Sequence, residues 1–314
     1  MKLRFIVNLK SGRPRRNAGI PALLRDYVAH HSLDADIVLT EGPGHATELA
    51  REAVAAGSAR VVAVGGDGTV NEVAQALVQS RTALALVPCG SGNGLALHIG
   101  LPKSIPAALE LAAGPDSRVA EIDTGSASGF PFVNAMGLGL DADVSFRFNR
   151  LAHRGLPAYV RTALAAFLAM RPLECRIQDG ERSESAEALI IAVANSDQYG
   201  NNARIAPGAR IDDGLLDLVV VRPVGPVGAA ILGARLFLGT IGRSPHVRRL
   251  KGARFVIERP SEGIIHTDGE THRTGASIEI GVQPRSLRLV VPRGCAAVQS
   301  VRERSEAGFA LQLP

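Results

Sequence analysis

The eight residues Gly65-Gly66-Asp67-Gly68-Thr69-Val70-Asn71-Glu72 combine features that suit a bound phosphate. Glycines let a backbone turn sharply and approach a ligand with no Cβ in the way. Free amides at the start of a helix attract an anion. A carboxylate among them, Asp67, is a poor phosphate ligand alone, but it makes sense if a divalent cation or a water network stands between it and a nucleotide. A tight turn that binds nothing could use the same residue types. Two further segments have the same character, Pro88-Cys89-Gly90-Ser91-Gly92-Asn93-Gly94 and Asn8-Leu9-Lys10-Ser11-Gly12. Three ligand-type turns are harder to explain as tight turns alone. None fits the Walker A pattern or G-x-G-x-x-G, which argues against an ordinary P-loop or dinucleotide fold.

The elements that must hold these turns follow from the hydrophobic rhythm. Strands are expected at 3–8, 37–40, 60–64 and 83–87, and helices at 21–30, 46–56 and 104–113. Another helix should begin near Val70, because Val70, Val73, Ala74, Leu77 and Val78 recur at helical spacing. Repeated strand–helix–strand units predict a layered α/β domain with a mostly parallel sheet. All three turns then leave the C-terminal ends of parallel strands, where open α/β sheets bind ligands. After about Asp123 the rhythm changes. Strands are expected at 130–134, 173–178, 188–194, 215–221, 254–257 and 277–280, and only 157–170 and 227–238 read as helices. This predicts a β-rich, antiparallel, sandwich-like second domain. The expected division is 1–124, 125–294 and a tail at 295–314, with the strand-like 286–291 able to pair in either domain. A cleft between two domains is the default place for a site.

Composition narrows the class. With 46% apolar residues and scattered charges the chain is globular. The first residues are too soon polar for a signal peptide, no apolar run is long enough to cross a bilayer, and Cys89, Cys175 and Cys295 lack metal-ligand spacing. A cytoplasmic location is expected, with reduced thiols. The net charge of +5 implies attraction to anions. Basic residues cluster at Arg13, Arg15 and Arg16, at 147–154 and at 243–254. Aromatics are few and no zinc finger, RNP-type motif or basic heptad region is present, so nucleic acid is not expected as a partner. Nucleotide phosphates and an anionic membrane surface remain. The apolar 227–238 followed by the basic 243–254 suits peripheral docking on anionic lipid, and a buried helix with a solvated loop after it is the alternative. A homo-oligomer is left open.

The segment from Gly65 to Glu72 resembles the GGDGTxNE signature of the diacylglycerol kinase catalytic domain, shared with sphingosine and ceramide kinases and bacterial lipid kinases. The plainer GGDGT also occurs in NAD kinases, and the trailing Asn71-Glu72 favours the lipid kinases. Residues 8–12 resemble the family's NPxSG loop with Leu9 in place of proline. Thr40 stands where a threonine usually follows the second strand. Residues 88–93 resemble PxGSxN, with Gly94 where many bacterial members have aspartate. The resemblance extends to about Val291. It includes Asp123 at an acidic position, residues 134–142 like NxxGxGxDA, residues 207–217 like PxAxxDDGxLD, and Asp268-Gly269-Glu270 like the catalytic DGE motif.

The resemblance implies transfer of the ATP γ-phosphoryl group to the hydroxyl of a diacylglycerol-like or sphingoid lipid. Its nucleotide-binding residues would be Asn8, Ser11, Gly12, Thr40, Gly65, Gly66, Asp67, Gly68, Thr69, Asn71, Glu72, Gly90, Ser91 and Asn93. Asp67 and Asp123 would organise catalytic Mg²⁺. A structural Mg²⁺ would be held by the side chain of Asp213 and the carbonyls of Arg210 and Leu215. Glu270 would take the lipid's hydroxyl proton as general base, with Asp268 as orienter or metal partner. His266 and His272 flank the motif, and a flanking histidine reads as an exposed loop residue. Two other readings are an NAD-kinase-like enzyme acting on a soluble substrate and a regulator that kept the fold and lost turnover. The first leaves the second-domain motifs unexplained. Retention of Asp67, Asp123, Asp268 and Glu270 together argues against the second.

Overall fold

Strands β1 (Leu3–Val7), β3 (Arg60–Gly65) and β4 (Ala83–Pro88) are almost wholly apolar, as strands covered on both faces must be. A computed structural model of the chain describes residues 1–12, 17–151, 156–180 and 182–298. Arg13, Arg15, Arg16 and Arg154 of the basic clusters, and most of the tail expected at 295–314, lie outside the described residues. With β2 (Ala35–Leu39), the strands form the parallel order β2-β1-β3-β4. Helices α1 (Ile20–His30) and α5 (Ile105–Ala113) cover one face through Leu24, Ala108 and Leu109. Helices α2 (His45–Ala55) and α3 (Asp67–Leu77) cover the other through Leu49, Ala50, Val73 and Leu77. Helix α3 begins at Asp67, three residues before the expected start near Val70, so the glycine-rich segment is the first turn of a helix. The chain reverses between β1 and β3, and ligands bind at such a switch point.

The second half is antiparallel. One sheet has the order β14 (Val247–Gly252), β13 (Leu216–Val221), β10 (Ile190–Ala194), β7 (Ala135–Gly139), β16 (Gly263–Thr267), β17 (Glu270–Thr274). Met136, Leu138, Ile191, Val193, Leu218 and Val220 turn inward. There they meet Phe132 of β6 (Phe130–Phe132), Ile177 of β8 (Leu173–Asp179) and Phe255 of β15 (Arg254–Glu258). This apolar slab is a sandwich core. Strand β9 (Arg182–Ala188) closes the edge of the other sheet against β8.

Two long strands join the halves. β5 (Ser117–Ala127) and β18 (Ser277–Pro292) pair antiparallel, with a break in register between Gln283 and Leu287. The strand at 286–291, which could have paired in either half, is the C-terminal part of β18 and joins the first sheet beside β4 through Leu289 and Leu84. Beyond the two helices expected in the second half, α7 (Leu156–Ala169) and α8 (Pro226–Phe237), a third, α6 (Leu140–Asn149), leaves β7. No described helix is long and apolar enough to cross a membrane.

Candidate active site

The three glycine-rich turns meet at the C-terminal ends of β1, β3 and β4. Asn8 donates from Nδ2 to Thr69 Oγ1 at 3.0 Å, and the Gly66 amide donates to Ser11 Oγ at 3.2 Å. A Cβ on Gly90 would stand 2.6 Å from the Gly66 Cα, so these glycines let the second turn rest on the first. Gly68 is different. It is exposed, with nothing within 4 Å of its Cβ direction, and it is the glycine of this turn open to a ligand.

Asp67 is the lock between two turns. Its Oδ2 accepts the Asn93 amide at 2.7 Å and its Oδ1 the Gly94 amide at 2.6 Å, at the start of the short helix α4 (Gly94–His98). Burial pushes its carboxyl above the ordinary range, against the pull of these amides. Asn93 closes its own turn through Gly90 N and O. Ser91 is exposed, and Thr40 sits at the end of β2 with its amide on the Val7 carbonyl. Asn71 is buried within α3. The Glu72 carboxylate accepts the Ala46 amide at 3.1 Å, so it holds the start of α2 and does not face the turns.

The second half supplies the Asp268-Gly269-Glu270 turn between β16 and β17. The Asp268 carboxylate accepts the amides of Val133, Asn134 and Ala135 at 2.7, 2.9 and 2.9 Å, and its own φ is +50°. The turn is thereby fixed beneath the β6–β7 connection. Strand β6 touches α3, and Val133 packs into the core of the first half, so the turn is anchored beside the helix that carries Asp67. Glu270 opens β17 as an exposed side chain.

His266 is a correction to the expectation of an exposed loop residue. It is 4% exposed and lies 2.9 Å from Asp141 Oδ2, which also accepts the Tyr199 hydroxyl at 2.5 Å. Its Nδ1 faces the Gly269 amide at 3.3 Å. Burial alone would lower its pKa, but the charge and hydrogen bond of Asp141, and then Asp268, raise it overall. His272 is half-buried and stacks on Phe130 at 4.0 Å. Asp141 and Tyr199 drew no role from the sequence, although Asp141 is the aspartate of the quoted NxxGxGxDA stretch.

The residues expected to hold metal make these contacts within the fold. Asp213 Oδ1 accepts the Leu215 amide at 3.1 Å, and its Oδ2 pairs with Lys251 Nζ at 2.9 Å. The only side-chain donor of the Arg210, Asp213 and Leu215 set thus faces the ammonium of the exposed Lys251. Asp123 is 1% exposed and accepts Arg285 N at 2.8 Å and Gly214 N at 2.7 Å. It pins the break in β18 to the 210–215 loop. Among the described residues no three His, Cys, Asp or Glu side chains gather as a metal site.

Burial pushes the Asp268 carboxyl up to about 6, against the three amides and His266. Its folded value thus lies above the unfolded one of about 3.9. Its contribution to stability is full below about pH 3.9 and is lost as pH rises through about 6. Denaturant midpoints measured from pH 4 to 7 should show this fall in the wild type and lack it in Asp268→Asn. Equal slopes in both would show that Asp268 does not titrate in this way.

Residues 2–127 match the diacylglycerol kinase catalytic domain, and residues 134–291 match the YegS C-terminal NAD kinase beta sandwich-like domain. A protein of Pseudomonas aeruginosa named probable lipid kinase YegS-like is 33% identical over 257 residues, covering 80% of this chain and 82% of the relative. The probable lipid kinase YegS of Escherichia fergusonii is 30% identical over 299 residues, covering 93% and 96%. The crystal structure of a diacylglycerol kinase from Bacillus anthracis shares the fold with a TM-score of 0.69 at 22% identity, over 94% of this chain and 98% of that one.

Proposed function

Because this chain belongs to the diacylglycerol kinase catalytic-domain family and is a lipid kinase, we propose that it transfers the γ-phosphoryl group of ATP to a hydroxyl of a diacylglycerol-like or sphingoid lipid, met at a membrane surface. One observation carries the reading. Helix α3, whose first turn holds Asp67, Gly68 and Thr69, touches β6, and the amides just after β6 hold Asp268. A phosphate-type turn and a carboxylate-bearing turn are thus built into one interdomain region.

In-line phosphoryl transfer depends on positioning and charge neutralisation. Mg²⁺ would travel with the ATP phosphates and offset their charge. The amides of the first turn of α3 and the open approach at Gly68 suit the phosphates. Glu270 takes the hydroxyl proton as the lipid oxygen attacks the γ-phosphorus, and ADP leaves. Asp268 fixes the turn that carries Glu270, and the Tyr199–Asp141–His266 chain backs it.

The test is incubation of the full chain with Mg²⁺ and γ-labelled ATP over diacylglycerol, monoacylglycerol, a sphingoid base, phosphatidylglycerol and NAD. Label should enter a lipid. Label in NAD and in no lipid would overturn the reading in favour of a soluble substrate.

A further inference from the structure

Ten large apolar side chains are exposed among the described residues, and seven of them belong to α7, α8 or the residue capping α8. Val160, Leu164 and Leu168 are spaced four apart and form one stripe on α7. Val227, Ile231 and Leu238 fall within one narrow stripe along α8 and its cap. Leu168, Val227 and Leu238 are 71%, 76% and 75% exposed. The alternative of a buried helix for 227–238 therefore does not hold, since Leu232 is its one buried side chain.

Both helices already have an apolar inner face. Ala166 and Phe167 of α7 pack on Leu140, Val144 and Leu189. Leu232 and Leu236 of α8 pack on Ala192, Val219 and Val221. Ile190 and Val224 touch both groups, so the helices lie over the same outer face of the six-stranded sheet. A helix that is apolar inside and out needs a second apolar surface.

Charge identifies that surface. No acidic residue occurs between Asp143 and Glu174 or between Asp217 and Glu258, whereas these stretches hold five and seven Lys or Arg residues. Several of the second group are already paired, including Arg248 with Glu184, Arg249 with Asp217 and Lys251 with Asp213. Arg161, Arg171, Arg222 and Arg243 are exposed, and no salt bridge engages them among the described residues. Apolar stripes flanked by unpaired arginines match the interface of an anionic bilayer, where the stripes enter the acyl boundary and the guanidinium groups meet lipid phosphates.

The face also adjoins the candidate site at two points. Asn149, at the end of α6, the helix that contacts α7, donates from Nδ2 to the Gly269 carbonyl at 2.7 Å. Gly239, just past α8, lies against the Arg204 side chain in the hairpin β11 (Gln198–Gly200) to β12 (Ala203–Arg204), whose Gly200 abuts Gly92. We propose that the outer faces of α7 and α8 together seat the protein on anionic membranes. Such seating would bring a lipid headgroup beside the Asp268-Gly269-Glu270 turn. That last consequence rests on the lipid kinase reading, whereas the docking itself does not.

Flotation of the full chain with phosphatidylcholine vesicles carrying increasing phosphatidylglycerol tests it. Binding should rise with the anionic fraction and fall with salt. Leu168→Glu and Val227→Glu, both at exposed positions, should each weaken partitioning about tenfold or more. Arg222→Gln with Arg243→Gln should flatten the salt dependence. On a short-chain lipid kept monodisperse both Glu variants should turn over like the wild type, while on vesicle-embedded lipid they should be slower. No turnover of the monodisperse lipid by any form would fail the kinase reading and leave the flotation result standing. A wild type that does not float, or variants that float equally well, would overturn docking. So would a wild-type dimer, seen by light scattering, that both variants abolish without any vesicle binding.

Discussion

Glu270→Gln is expected to lower kcat by about 10²- to 10⁴-fold, the range typical of general-base catalysis, with ATP affinity within a few-fold of wild type. The substitution keeps the size of the side chain and removes its capacity to accept a proton. The turn itself should survive, because Asp268 holds it through three amides and β17 pairs with β16 from Glu270 onward. Glu270 is exposed, so the glutamine leaves no buried charge uncompensated. Single-turnover rates with the preferred lipid, together with nucleotide binding by calorimetry, check both halves of the expectation. Wild-type turnover in Glu270→Gln with a dead Asp268→Asn would move the base to Asp268. Normal turnover in both would place the base outside the turn.

Asp67→Ala should abolish phosphoryl transfer while the fold survives. It should also weaken ATP binding, because it unfastens two turns at once. The carboxylate satisfies the Asn93 and Gly94 amides, and hydrogen bonds to a charged group contribute about 1.5–3 kcal/mol each. Without it the second turn loses its tie to the first turn of α3. Asp67→Asn retains one acceptor and should keep part of the nucleotide affinity. Gly66→Val should fail by a related route, since a Cβ there stands 3.1 Å from the Gly90 Cα and must push the turns apart. Gly68→Ala has open space around it and separates the cases. It should preserve the fold and thermal midpoint, so any loss it shows belongs to ATP. Full activity in Asp67→Ala would remove the GGDGT turn from the mechanism.

The first sheet was legible because its signals are local. Fully apolar runs at 60–64 and 83–87, each followed by an amphipathic helix or a glycine-rich turn, leave little choice but a covered parallel sheet. Much of the second half was not legible. Strand β7 reads Ala-Met-Gly-Leu-Gly, whose glycines disguise a strand, and the helix after it opens with Leu-Asp-Ala-Asp. Strand β14 reads Val-Arg-Arg-Leu-Lys-Gly and looked like a solvated basic run. It is an edge strand in which Arg249 reaches the buried Asp217 at 2.7 Å and Lys251 reaches Asp213.

The residue types of the candidate site were present in the sequence, and so was the family resemblance that grouped them. Their engagements were not. Asp67 was legible as a metal or phosphate partner, yet the fold turns it to the amides of residues 26 and 27 positions away. Asp268 meets amides 133 to 135 positions away, and His266 pairs with an aspartate in a motif to which no role had been assigned. Periodicity tells which face of an element is buried, because that depends on nearest neighbours along the chain. Whether a carboxylate is spent on backbone amides, paired with a lysine of an edge strand or left exposed for chemistry depends on groups distant in sequence, and only the tertiary structure brings those together.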